Sequence, residues 1–270
     1  MNILILTAGN VSKIEGFVRE GVTTASFNDV SFDSQKAELF VLGQDIKNFS
    51  IIYFRVVGKS LEIATLVANY AVKNNIKLVD NLYSNTLLMP ISLAKSLEIR
   101  KLLEAGIKIP RTVFGSFSGL DFPYVVKSTS GQKAREVWMV KNPEELEVLK
   151  TNKFVKGKFY FAQELIPNAE RVRVLVVGDK AIGAIKRQTK WNKTEIKETL
   201  NPIPDDLGEL AVNSAKAVDL QVCGVDILIN SKTQEKFIIE ANAAPAWKGI
   251  SKHCSINVED EIIKYIQTKI

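Results

Sequence analysis

Residues 222–245 read VCGVDILINSKTQEKFIIEANAAP. Val222–Asn230 and Lys236–Glu240 are apolar runs on either side of a polar loop, the pattern of two extended segments paired as a hairpin. Asp226 is an acid in an apolar setting, costly to bury without a partner. The second run ends in Glu240–Ala241–Asn242, and Ala243–Ala244–Pro245 breaks it. Side chains two apart on a strand point to one face, so Glu240 and Asn242 converge, and a paired strand can bring Asp226 beside them. Three oxygen ligands suit Mg²⁺, which takes one or two carboxylates and completes its shell with water and substrate phosphates. The competing reading is that these are strand-end polar residues that only make turns.

Upstream, Val172–Val177 and Ala181–Arg187 are strands joined by the tight turn Gly178–Asp179–Lys180. Arg187 ends the apolar strand AIGAIK and is a candidate for contact with an anion. Between Lys180 and Lys197 lie Lys180, Lys186, Arg187, Lys190, Lys193 and Lys197 against the single acid Glu195, with Trp191 among them. Basic residues interleaved with an aromatic suit nucleic acid, and equally a triphosphate or an acidic substrate. Lys127 ends the apolar strand of PYVVKSTSG, where an ammonium can be aimed at phosphates, and Gly131 in the following loop would allow close backbone approach. No G-x-x-x-x-G-K-[ST] occurs, so a P-loop is not supported.

The N-terminal part alternates strands and helices. Asn2–Thr7, Glu38–Leu42, Ser50–Val57 and Ile76–Val79 are expected as strands and Leu61–Val72 as a helix, together a small open sheet of Rossmann type. The run SIIYFRVVG is nearly continuous in apolar residues, as for a parallel strand covered on both faces. No G-x-G-x-x-G is present. Ser92–Ala105 is expected as a helix stopped by Gly106. Beyond Pro110 come short strands at Arg111–Gly115, Tyr124–Lys127, Glu136–Val140 and Phe159–Ile166, helices at Pro143–Leu149 and Asp205–Val218, and a closing amphipathic helix at Glu259–Lys269. The fold class is therefore α/β followed by α+β: a Rossmann-like lobe and then two lobes rich in antiparallel strands.

Composition agrees with a folded, water-soluble chain: 270 residues, 46% hydrophobic and 24% charged, with no apolar run near the roughly 18 residues of a membrane span. The 36 basic and 30 acidic residues leave +6, all of it beyond residue 88. Such a balance suits anionic ligands, or simply a solvated lysine-rich surface. The start MNILILTAGN reads as a first strand and not a leader. Cys223 and Cys254 are expected as free thiols in a cytoplasmic protein. A single histidine, His253, argues against a His-based triad or a multi-histidine zinc site.

Taken in order, Lys95, VVK–loop–Gly131, QELI at Gln163–Ile166, RVRVLVVGDKAIGAIKR, CGVDIL and IIEANAAP resemble an ATP-grasp ligase, most nearly the RimK-like carboxylate–amine (glutamate) ligases. The resemblance is detailed over about residues 76–251 and implies a Rossmann-like pre-ATP-grasp domain (1–88) followed by an ATP-grasp domain (89–270), with a small lobe at about 111–165 and a large lobe at about 166–270. It implies that Lys95 and Lys127 contact ATP phosphates. Gln163–Ile166 would be the hinge, with Glu164 and Leu165 holding adenine through backbone groups. Arg173 matches the arginine of the family's Asp-x-Arg, and Arg187 faces the γ-phosphate and an acyl phosphate. Asp226, Glu240 and Asn242 match the magnesium ligands, with Mn²⁺ as an alternative ion.

The implied reaction joins a carboxylate to an amine through an acyl phosphate, and the implied partner is an amino acid, peptide or protein. A homo-oligomer is compatible with the resemblance, a membrane partner is not expected, and nucleic acid is the lesser reading of the basic run. The chain departs from the pattern at Leu93–Ala94 in place of Arg-Asp, at Arg171 in place of Asp, at Ala134 and Glu136 in place of glycines, and at AAPAW in place of Ser-Pro-Gly. These departures keep open altered substrate choice, slow turnover, or a nucleotide-binding regulatory module with little or no ligase activity.

Overall fold

A computed structural model describes residues 2–35, 37–85, 94–115, 117–130, 135–187, 189, 191 and 198–269. The N-terminal lobe contains β1 (Ile3–Thr7), β2 (Val22–Ser26), β3 (Val30–Asp33), β4 (Glu38–Val41), β5 (Gln44–Asp45), β6 (Ile51–Val56), helix α1 (Leu61–Lys73) and β7 (Lys77–Val79). Its main sheet is parallel, in the order β2-β1-β6-β7. The apolar strands β1 and β6 form its centre. Leu4, Leu6, Ile52 and Phe54 pack on one face against α1, and Ile3, Ile5, Ile51 and Tyr53 pack on the other against the C-terminal lobe.

Glu38–Leu42 does not belong to this sheet, contrary to the sequence expectation. It forms β4 in a separate antiparallel sheet β3-β4-β5 and ends at Val41, where Leu42 and Gly43 take φ of 48° and 80° in a two-residue turn. The alternating burial of Glu38–Val41 is that of a half-covered antiparallel strand. Its expected place is held by β2, whose sequence VTTAS has no apolar run to announce a strand.

Next come α2 (Lys95–Glu104), β8 (Thr112–Phe114), β9 (Tyr124–Ser128), β10 (Val137–Val140), α3 (Pro143–Lys153) and β11 (Tyr160–Glu164), with sheet order β10-β9-β11-β8. The helix expected at Ser92–Ala105 is seen from Lys95; residues 92 and 93 lie outside the described residues. Asn142 caps α3, its side chain accepting from the Glu145 N–H at 2.8 Å, and Pro143 opens the first turn. Tyr124, Val126, Tyr160 and Ala162 pack with Leu146 and Leu149 of α3. Lys127 and Gln163 alternate with these residues and so face away from α3.

The remaining elements are β12 (Ala169–Val177), β13 (Lys180–Arg187), α4 (Asp205–Ala217), β14 (Val222–Asn230), β15 (Lys236–Asn242), α5 (Lys248–Cys254) and α6 (Val258–Gln267). The sheet runs β13-β12-β14-β15, antiparallel throughout. Period-two alternation sorts β12: Val172, Val174 and Val176 pack under α4, whereas Leu175 and Val177 join the N-terminal sheet and α6. Arg171 and Arg173 continue that second face beyond the apolar contact. Helix α5 was not expected, because seven residues containing Gly249 carry too short a pattern to read. Asp80, fully buried, joins the lobes by accepting from the N–H groups of Gln221 (2.6 Å) and Val222 (2.7 Å). Among the described residues no helix is long and apolar enough to cross a membrane.

Candidate active site

In the β12–β14–β15 ladder Arg173 pairs with Asp226, and Asp226 pairs with Glu240. Residues opposite one another in antiparallel strands share a face, so the three side chains form a row. Asn242 pairs with Gly224 one step along, on the same face, and Arg171 pairs with Arg187 on β13. A register irregularity between Asp226 and Ile227 leaves Ile239 as the extra residue and keeps Glu240 opposite Asp226.

Asp226 is completely buried. Arg173 donates to it from Nε (2.7 Å) and Nη2 (2.6 Å), and Arg171 donates from Nη2. Burial alone would push this carboxyl up; the hydrogen bonds and charges of the two arginines overcome it and hold the group below the usual carboxylate range. Arg187 ends β13 with part of its surface open to solvent, and partial desolvation of its guanidinium, followed by the charge of Arg173, lowers its affinity for its proton.

Across from this row, α2 presents Lys95 and Glu98. Lys95 Nζ lies 2.7 Å from Glu98 Oε2 and 3.5 Å from Glu240 Oε1. Glu98, buried, also accepts the Ala241 N–H at 2.7 Å, which fastens α2 to the strand that carries Glu240 and Asn242. Burial pushes the Glu98 carboxyl up, whereas Glu98 and Glu240 keep Lys95 charged against its own desolvation. Lys127 comes from the small-lobe sheet and donates to Gln163 Oε1 at 2.5 Å, while Gln163 Nε2 donates to Thr112 at 2.9 Å. Burial first, and then the like charge of Lys95, pull the Lys127 ammonium down to about 8. Glu240, Arg171 and Glu98 also act on it, so Lys127 faces the arginine–carboxylate row.

The segment Gln163–Ile166 begins in the last two residues of β11 and runs past its end. The Glu164 N–H donates to the Arg111 carbonyl (2.8 Å), and Glu164 Oε2 accepts from the Arg111 N–H (3.1 Å). Gly131 lies outside the described residues, as do Lys190, Lys193 and Lys197 of the basic run. Lys186 is paired with Glu170 (3.3 Å) and Glu198 (2.9 Å), and Lys180 sits at the opposite end of β13 from Arg187. Among the described residues the basic run therefore forms no single patch. His253 is exposed on α5.

Asp226, Glu240 and Asn242 supply two carboxylates and an amide oxygen on one face. Among the described residues no cluster of three or more His, Cys, Asp or Glu could hold a metal, so a divalent cation here depends on the asparagine. Asn242 Oδ1 accepts the Ala244 N–H at 2.8 Å, and both Asp226 oxygens accept from arginine. A carboxylate has about four lone-pair sites and an amide oxygen two, so each can add a cation to its present bonds. The donor set fits a hard cation such as Mg²⁺.

Two features escaped the sequence reading. Glu98 is legible only as the i+3 partner of Lys95; its second partner, Ala241, is 143 residues away. The closure of Arg171 on Asp226 needed the strand register.

A Rossmann-like lobe followed by two lobes that face each other across lysines, arginines and carboxylates is the architecture of the ATP-grasp class. Solved structures of the same fold include the ATP-grasp ligase PsnB in complex with a minimal precursor, Mg and ADP (TM-score 0.72, 18% identity, 97% of this chain and 96% of that one). The D-Ala:D-Ser ligase VanG of Enterococcus faecalis is another (TM-score 0.70, 15% identity, 100% and 99% covered). The RimK-like ATP-grasp domain model matches residues 91–266, and the chain belongs to that family of ligases. A probable alpha-L-glutamate ligase of Trichodesmium erythraeum is 26% identical over 88% of this chain and 83% of its own length. The coenzyme gamma-F420-2:alpha-L-glutamate ligase of Methanocaldococcus jannaschii is 30% identical over 61% of this chain; the match spans 62% of that relative.

Proposed function

We propose that this chain is an ATP-dependent carboxylate–amine ligase that joins an amino acid, glutamate by analogy with its relatives, to a carboxylate on a peptide, protein or small molecule. The observation that carries this reading is the convergence of Lys95, Lys127 and Arg187 with the row Arg173–Asp226–Glu240 and with Asn242. Adenine lies along Glu164–Leu165, and the phosphates lie between Lys95 and Lys127. Asp226, Glu240 and Asn242 hold Mg²⁺, which when bound neutralises phosphate charge.

In the reaction, a substrate carboxylate oxygen bonds to the γ-phosphorus and the bond to ADP breaks. An amine nitrogen then bonds to the acyl carbon, phosphate leaves with the carboxylate's oxygen, and the nitrogen loses a proton. The protein's part is positioning and charge. Lys95 and Lys127 fix the transferred group, Arg187 meets the oxygens that gain charge, and Arg173 keeps Asp226 ionised and oriented. The closure of Arg171 on Asp226 favours one second reading, a chain that holds nucleotide without ligation.

Incubation with Mg²⁺, ATP, glutamate and a panel of peptide and small-molecule carboxylates separates the two. A ligase yields ADP, phosphate and a product heavier by one glutamyl residue. Nucleotide binding with no ADP across the panel refutes ligation.

A further inference from the structure

The parallel sheet order β2-β1-β6-β7 reverses direction at β1 and β6: the chain leaves β1 to one side for β2 and returns to its other side for β6. In open α/β sheets the crevice beyond the carboxyl ends of such a pair is where ligands sit. Arg55 and Thr7 stand at those ends. The register shifts between Leu6 and Thr7, so that Leu6 pairs with Phe54 and Thr7 with Val56, leaving Arg55 as the unpaired residue of a bulge. Bulges of this kind re-aim side chains beside active sites.

Arg55 is only 8% exposed, and among the described residues no carboxylate forms an ion pair with it. Its Nη2 donates to the Pro245 carbonyl at 2.7 Å, and its guanidinium stacks on Trp247 at 3.7 Å. Stacking covers the face of the group and leaves its in-plane N–H donors unserved: Nε and Nη1 are buried without an acceptor. The Thr7 and Tyr53 hydroxyls, on the same sheet face, are also buried without a partner. The carboxylate whose charge acts on Arg55 is Glu259, which is itself engaged in accepting from Trp247 Nε1 at 2.7 Å. An exposed cation marks the rim, where Lys13 Nζ donates to the Ala8 carbonyl just after β1. A buried cation with idle donors is costly unless an anion completes it.

These strand ends adjoin the candidate active site. Pro245 follows Asn242 by three residues, and a Cβ at Gly224, the partner of Asn242, would lie 2.7 Å from Pro245 Cβ. We propose that Arg55 and Thr7, with Lys13 at the rim, form a subsite for the non-reacting carboxylate of the amine substrate. The proposal rests on the ligase reading above. The N-terminal lobe then acts as the part of the molecule that selects an acidic amine, while the phosphates are handled across the cleft.

The test is calorimetric titration of L-glutamate into the chain holding Mg²⁺ and a non-hydrolysable ATP analogue, for wild type, Arg55→Met and Thr7→Val. The expected result is glutamate affinity at least about tenfold weaker in Arg55→Met and less reduced in Thr7→Val, with nucleotide affinity unchanged. In turnover the loss falls on KM for glutamate more than on kcat. Replacing either carboxylate of glutamate by an amide identifies the group bound: one amide weakens binding to wild type and is indifferent to Arg55→Met. Without ligand, Arg55→Met melts no lower than wild type, because a buried cation has been replaced by an apolar chain of similar length.

Equal glutamate binding by Arg55→Met overturns the subsite. So does a lowered melting temperature or failure to fold, which would make Arg55 a pin between Trp247 and Pro245. Inorganic phosphate that displaces glutamate at equal concentration also overturns it in favour of a general anion site. Wild type that binds nucleotide but no glutamate refutes the subsite alone; absence of ADP formation across all carboxylates and amines refutes the ligase reading whatever Arg55 does.

Discussion

Replacing Asp226 by Asn changes one atom and removes one charge, and the structure sets the size of the effect. Asp226 accepts three hydrogen bonds from two arginines inside a fully buried position. The amide keeps one acceptor oxygen and turns an N–H₂ group toward a guanidinium. Arg173, itself nearly buried, loses the carboxylate to which it is hydrogen-bonded. Breaking a buried pair from one side costs about 3–5 kcal/mol. For a chain of this size that lowers the melting temperature by about 6–20 °C. The sign with pH follows from the direction of the Asp226 shift. Its carboxyl is held below the ordinary value, so its stabilisation is complete above the unfolded value of about 3.9 and is lost as the pH falls through the folded one. The difference between wild type and Asp226→Asn should therefore be flat from neutral pH to about pH 5 and shrink below about pH 4. Scanning calorimetry across that range, with ADP release measured on the same samples, makes the check. A melting temperature lowered by less than about 2 °C, or ADP release at the wild-type rate, would refute the reasoning.

Three further outcomes are expected. Lys127 carries its charge below about 8 and loses it above, so ATP affinity measured by titration falls as the pH rises from 7 to 9, and Lys127→Met flattens the profile at a weaker level. Glu98→Ala leaves the Ala241 N–H without its acceptor and Lys95 without its nearer carboxylate; urea melts should show a loss of about 1–3 kcal/mol, with weaker nucleotide binding. Gly224→Ala places a Cβ 2.7 Å from Pro245 Cβ, and the loop after Asn242 must shift. Thermal melts should drop by the equivalent of about 1–3 kcal/mol, and ligation should fall further than stability alone explains.

The large-lobe sheet was legible because its alternation is strong. Valines at 172, 174 and 176 fill one face, and the polar series Arg171, Arg173, Asp226 and Glu240 could only be placed on the other. The carboxylates were legible for the same reason, since an acid inside CGVDILI demands a partner. What the partner is was not legible: two arginines on Asp226 follow from the register of β12 against β14, which no local pattern encodes. Strand β2 stayed hidden because VTTAS buries only its last two residues. Arg55 stayed hidden for the opposite reason. One cation in SIIYFRVVG does not disturb an apolar run, although a buried charge in a parallel strand is the kind of exception that marks a site.

The most direct measurement is a crystal structure of the chain with Mg²⁺ and a non-hydrolysable ATP analogue. The account requires adenine against Glu164 and Leu165, the triphosphate between Lys95 and Lys127 with its terminal phosphate toward Arg187, and the cation on Asp226, Glu240 and Asn242. A triphosphate bound elsewhere, or one bound in the cleft while both Asp226 oxygens stay closed by Arg171 and Arg173 with no cation beside them, would contradict it.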